Sequence, residues 1–146
     1  MSTINYMVDT IDAIIDQICQ KVPSIPISIR IFCRAISDHG TRTKMDKIEI
    51  YRLMGKFVIT HWLAKVAFQD MVVHGLIKVY FIQPNCLENM KIMNVALNKI
   101  FRMDEHHFED EILDPINDLM EAKKSKITFF FDELIDIPTL QKPSSS

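Results

Sequence analysis

Residues 45 to 67, MDKIEIYRLMGKFVITHWLAKVA, set the tightest limit on what this chain can become. The stretch reads as one long helix that Thr43 or Asp46 caps, and after Gly55 it is apolar on nearly every side. A helix of that kind is stable when neighbours cover all of its faces. Lys56 and Lys65 interrupt it too often for it to span a bilayer. The rest of the chain must then supply the surrounding helices. The expected fold is all-α, a single domain of six or seven helices around a long buried central helix. Glycine, which β-turns and phosphate-cradling loops consume, occurs only 3 times in 146 residues, in keeping with helices. A domain of this length buries about 70% of the surface of its unfolded chain, enough for a core without disulfides or metals.

The flanking segments carry helical periodicity. Ile4, Val8, Ile11, Ile15 and Ile18 recur at steps of four and three, with Ser2 or Thr3 placed as a cap, and this helix ends before Pro23. Pro26 suits the first turn of a second helix that carries Ile27, Ile31 and Ile36, or alternatively Ile29, Phe32 and Cys33, and stops near Gly40. SDHGTRTKMD reads as a loop. Residues 69 to 82 are either a further helix or an apolar hairpin. QPN at 83 to 85 breaks the chain, and Leu87, Met90, Met93, Val95, Leu97 and Ile100 form another helical face. In MDEHHFEDEILD, Asp104 caps a helix whose first turn is crowded with acids, which the helix dipole favours. The last helix spans Ala122 to Asp136 and Pro138 ends it. Of Phe129, Phe130 and Phe131, two at most can face one core, so the third is expected at a partner contact or a helix junction. Residues 142–146 are expected as a disordered tail.

Composition excludes several functions. A net charge of −2 with 17 basic residues offers no concentrated basic face, so nothing asks for nucleic acid. Cys19, Cys33 and Cys86 are odd in number and widely spaced, which fits reduced thiols acting as small apolar residues. The N-terminus has no basic region and is interrupted by Asp9, Asp12 and Asp16, so no signal peptide is read. With no charge-free window long enough for a membrane span, the chain is expected to be cytoplasmic.

The candidate chemistry is sparse. His106 and His107 lie among Asp104, Glu105, Glu109, Asp110 and Glu111, and on a helix His107 would share a face with Glu111 and His106 with Asp110. A metal needs three or four converging ligands, and neither a zinc-protease nor an EF-hand spacing is present, so a solvated acidic helix start is expected and no metal or other cofactor is implied. Cys33 and His39 lack an orienting third group at any recognisable spacing. No P-loop spacing occurs.

The order of the segments resembles a known family. IPISIRIFCRAI (25 to 36) resembles the L-P-x-x-L-R-x-x-C helix of Ras GTPase-activating domains, with Pro26, Ile29, Arg30 and Cys33 on the matching positions. IEIYRLMGKFVITHWLAKVAF takes the place of that family's central helix, with Gly55 on a usual glycine. KIMNVALNKIF and PINDLMEAKKSKITFFFDELIDIPTLQ resemble the helices that follow, and the ending is similar to the IQGAP branch. The likeness covers about residues 15 to 141, and residues 1–141 are expected as a truncated helical domain of this type.

What the resemblance implies is largely an absence. Active members insert an arginine finger worth about 10³ to 10⁵ in rate, from a loop in the N-terminal half of the domain. The chain is expected to begin after that half and to lack the finger. The family's F-L-R-x-x-x-P-A falls on residues 59 to 66, where His61 replaces the bracing arginine and Lys65 the proline. A histidine cannot supply the five-donor fork of a guanidinium. The resemblance thus implies a non-catalytic interaction module, not an enzyme, that binds a small GTPase of the Ras or Rho class or a cytoskeletal partner. Arg30, Arg34, His61, Trp62 and Lys65 are the candidate partner-binding residues, though His61 and Trp62 equally suit plain core packing. Two other readings are a residual or assisted GTPase-activating protein and a docking factor on a cytoskeletal or ribonucleoprotein assembly. A truncated domain would leave apolar surface open, which predicts a homo-dimer or a larger complex.

Overall fold

A computed structural model describes residues 3–67 and 86–137 of the chain. Among these residues there are six α-helices and no strand, so the all-α class holds. Helix α1 (Thr3–Gln20) buries Met7, Ile11, Ile14, Ile15 and Ile18, which turns its core face slightly away from Ile4 and Val8. A 3₁₀ turn, Val22–Ser24, leads to α2 (Ile27–Arg42), whose first amides, those of Ile29 and Arg30, donate to the Pro26 carbonyl. Helix α3 is Lys47–Val58, and the same rod continues with π-helical hydrogen bonding through Ile59–Ala67. Helices α4 (Cys86–Phe101), α5 (Asp114–Ala122) and α6 (Lys124–Ile135) complete the described chain. The segment 69 to 82 and the tail 142–146 lie outside the described residues.

The core forms where α1 packs on α4, α5 and α6 while α2 packs on α3 and α6. Phe130 and Phe131 are fully buried in it, Phe131 stacked on Tyr51 at 5.8 Å and Phe130 edge-on to Phe101 at 5.7 Å. The third phenylalanine, Phe129, is 63% exposed, as three successive aromatics on one helix require. Between α1 and α6, Lys126 pairs with Asp16, and Lys123 reaches both Asp12 and Asp16. These ion pairs tie the first helix of the chain to the last.

Three expectations need correction. The central rod is not buried on all sides. Ile50, Tyr51, Met54, Gly55, Val58, Trp62 and Leu63 face inward, but Leu53, Lys56, Thr60 and His61 lie on an exposed side. Its apolar residues therefore divide between a core stripe and a surface stripe. Secondly, much of the expected loop at 37 to 46 is the last two turns of α2, which runs to Arg42. That helix ends later, at a left-handed Lys44 (φ 58°), where the Met45 and Lys44 amides close back on the Gly40 and Thr41 carbonyls at 2.9 and 3.2 Å.

Thirdly, no helix starts at Asp104. Its carboxylate accepts the His106 amide at 2.9 Å, a local bond that competes with helix formation. Pro115 decides the matter, because a helix running from 104 through 115 would lose a hydrogen bond and clash with a preceding carbonyl. The helix instead starts at Asp114 with Pro115 in its first turn, where proline costs nothing. The intervening segment is held by Asn117, which is buried and grips both the amide and the carbonyl of Phe108, at 2.8 and 3.0 Å. His107 Nε2 adds a 2.8 Å contact to Glu121. The helical pairing of His107 with Glu111 and of His106 with Asp110 is thereby lost.

Candidate functional site

Arg30 and Arg34 stand one turn apart on α2, and both point at the end of α6. Arg30 donates through Nε to the Leu134 carbonyl at 2.9 Å, and through Nη2 to the Glu133 and Asp136 carbonyls at 3.1 and 3.0 Å. Arg34 donates through Nη1 to the Ile135 carbonyl at 3.0 Å and pairs through Nε with Asp38 at 3.2 Å. The last carbonyls of a helix lack partners of their own and carry the negative end of its dipole. The two guanidinium groups therefore act as a C-terminal cap supplied from another helix.

On the other flank of α2 the structure assembles an aromatic surface. Phe32 is 58% exposed and stacks on Phe57 of α3 at 5.3 Å, and Phe57 in turn meets the exposed His61 ring at 4.6 Å. Ile27 and Ile31, also on α2, are 52% and 42% exposed. Of the residues singled out from the sequence, His61 belongs to this surface, whereas Trp62 turns into the core. Lys65 falls one turn beyond His61 on the same rod. Arg30 and Arg34 are instead engaged with the end of α6. Phe32 and Phe57 were the residues that sequence reasoning missed, although IPISIRIFC carries apolar residues on more than one side of α2 and so signalled that one side stays open.

Elsewhere, neither Cys19 nor Cys33 is placed as a nucleophile. Cys33 is fully buried, which pushes its thiol up to about 12, and burial pushes Cys19 up to about 11. At neutral pH neither presents a thiolate. His39 lies exposed in the last turn of α2, apart from the buried Cys33. A recess of about 350 Å³ between α2, α3 and α6 is lined in part by Thr41, Lys47, Tyr51 and Asp132. In it the Tyr51 hydroxyl donates to Asp132 at 2.8 Å. Burial, then that bond, holds the phenol above its ordinary value, so it stays protonated. Among the described residues no three His, Cys, Asp or Glu side chains converge as a metal site would need, and no helix is long and apolar enough to cross a membrane.

No family model, no curated protein and no solved structure matches this chain.

Proposed function

We propose that this chain is a non-catalytic protein-interaction module, of the RasGAP-like and IQGAP type that its segment order resembles, and that it docks a small GTPase of the Ras or Rho class in the cytoplasm. The observation that carries the reading is the Phe32–Phe57–His61 stack, a partly exposed aromatic surface shared by α2 and the stretch of rod where the resembled family has its catalytic helix. Exposed aromatics in a continuous patch are the usual anchors of protein interfaces. The occupant of the arginine position supports a role without catalysis. His61 packs at a tilt against Phe57, where it adds to the contact surface and offers no guanidinium fork.

The test is binding to a panel of purified Ras and Rho proteins, each loaded with GDP or a non-hydrolysable GTP analogue. The Phe32→Asp variant should lose at least about tenfold in affinity, since truncating a central aromatic anchor costs about 2 kcal/mol. Phe129→Asp, which alters an equally exposed phenylalanine on α6, should bind as the unaltered chain does. Single-turnover hydrolysis at saturating chain should show no acceleration. Binding that Phe32→Asp leaves intact, or hydrolysis that the chain speeds, would sink the reading; loss of a self-association signal in Phe32→Asp without any GTPase binding would assign the surface to a second copy instead.

A further inference from the structure

We propose that the recess beside the crossing of α3 and α4 binds a small ligand carrying one phosphate group and a hydroxylated remainder. The proposal does not depend on the interaction surface described above, with which the recess shares no lining residue. The recess measures about 320 Å³ and is lined by Arg52 and Lys56 of α3 and by Arg102, Asp104, Glu105 and His106 of the turn after α4. Sites for small molecules begin at about that size.

The fold brings these residues together by two devices. Gly55 lies so close to α4 that a methyl group there would fall 2.0 Å from the Phe101 carbonyl oxygen, so Arg52 and Lys56, on either side of Gly55, stand next to Arg102. Met103 then takes a left-handed conformation (φ 52°), and the Asp104 and Met103 amides close on the Lys99 and Ile100 carbonyls at 2.9 and 3.2 Å. The chain reverses there and returns Asp104 to His106 along the rim.

The charges are unequally satisfied. Arg52 is fully engaged, with Glu105 at 2.8 Å, Glu49 at 3.3 Å and the Met103 carbonyl at 3.2 Å. Asp104 accepts the His106 amide and has Lys99 at 3.8 Å. Lys56 and Arg102 are both exposed, and among the described residues no carboxylate lies within ion-pair distance of either. Two cations therefore face one recess without a direct ion pair, Arg102 interacting with Asp104 only through space. A phosphate monoester, with a charge of about −2 at neutral pH, matches that pair. Arg102 supplies the planar fork that fits two phosphate oxygens, and Lys56 a point charge. Asp104 and Glu105 on the rim would repel a second phosphate but accept hydroxyl donors, which is why the remainder is assigned as hydroxylated.

Calorimetric titration at constant ionic strength tests this with inorganic phosphate, glycerol 3-phosphate and glycerol as probes. Saturable binding of glycerol 3-phosphate is expected, with a Kd of about 1 mM or tighter, weaker binding of inorganic phosphate, and none of glycerol. Lys56→Gln and Arg102→Gln should each weaken glycerol 3-phosphate about tenfold. Lys91→Gln, an exposed lysine on α4 away from the recess, should change nothing. Lys56 and Arg102 have no direct ion pair to lose, so thermal melts of the two variants should stay close to that of the unaltered chain and a folding defect would not mimic the result. The proposal is overturned if no probe saturates, or if both variants stay within twofold of the unaltered chain. Equal affinity for phosphate and glycerol 3-phosphate would overturn the hydroxylated remainder.

Discussion

Replacing Gly55 with alanine separates helix propensity from helix packing. An alanine Cβ would lie 2.0 Å from the Phe101 carbonyl oxygen, 2.9 Å from its carbonyl carbon and 3.1 Å from the Arg102 Cα, whereas real Cβ atoms essentially never come within 3.0 Å of a neighbour. The obstacle is backbone, so no rotamer relieves it, and α4 must retreat by about 1 Å. A gap of that size forfeits a quarter to a half of each dispersion contact along the seam. Overpacking typically costs about 1–3 kcal/mol, and an obstacle of fixed backbone places Gly55→Ala at about 3 kcal/mol. Alanine recovers about 1 kcal/mol through helix propensity. The net loss is then about 2 kcal/mol, or a fall in Tm of about 6 °C for a domain of this size. Gly40→Ala is the paired control. Its Cβ would meet the Ile50 Cγ1 and Cδ1 atoms at 2.6 and 2.8 Å, a side chain that can turn at a cost of about 1 kcal/mol. Propensity offsets that, so Gly40→Ala should be near neutral. Urea unfolding followed by circular dichroism measures both. If Gly55→Ala equals Gly40→Ala, or stabilises the chain, the close α3–α4 crossing is wrong.

Lys44→Gly should stabilise by about 0.5–1 kcal/mol, because an exposed lysine is held there at a left-handed φ that glycine adopts freely; a lower urea midpoint would refute it. Arg30→Ala removes three donors from the end of α6 and should cost about 2 kcal/mol, with Arg30→Lys recovering only part because a lysine cannot reach three carbonyls as a planar fork; equal stability of all three chains would count against the cap. Acid should destabilise the fold. The Lys126 bond holds the Asp16 carboxyl below its ordinary 3.8, and the His106 amide does the same for Asp104. Each depressed value contributes stability that is present above about pH 4 and lost as pH falls through the lowered value. The Asp16 part is half-exposed and therefore small and salt-sensitive, so urea midpoints at pH 7 and pH 3 should differ less in Asp16→Asn, and less again at high salt. An Asp16→Asn chain with an undiminished acid loss would refute that assignment.

The helices were legible where burial and propensity agree. Isoleucines at steps of four and three could only mark α1, and three adjacent phenylalanines had to send one outward. The missing information was long-range or lay in single residues. Pro115 placed the start of α5, but the acidic run before it offered a more familiar helix start, and only the cost of a proline in the eleventh helical position decides between them. Arg30 and Arg34 showed themselves in the sequence as a pair one turn apart on a helix. Their acceptors are carbonyls a hundred residues further on, which no local pattern encodes. The aromatic surface was hidden for a related reason: hydrophobic periodicity reports that α3 has apolar residues on several sides, but which side meets α2, α4 or α6 depends on the crossing at Gly55.

Glycine carries a different meaning once the crossings are known. Its scarcity reads first as a sign of helices, but among the described residues both glycines sit inside helices, at contacts where a Cβ would collide. The two left-handed positions that glycine usually fills fall instead to Lys44 and Met103. At Met103 the exchange has a structural return, because its side chain is 6% exposed and packs in the core, where glycine would leave a hole. Lys44 is exposed and gains nothing comparable, which is why glycine is expected to improve one helix end and not the other. The strained turn at Met103 is also what sets Arg102 beside Lys56 and brings Asp104 and Glu105 onto the rim. Buried packing at one residue thus fixes the placement of the charged groups around it, and the recess exists because α4 has to end where its methionine can reach the core.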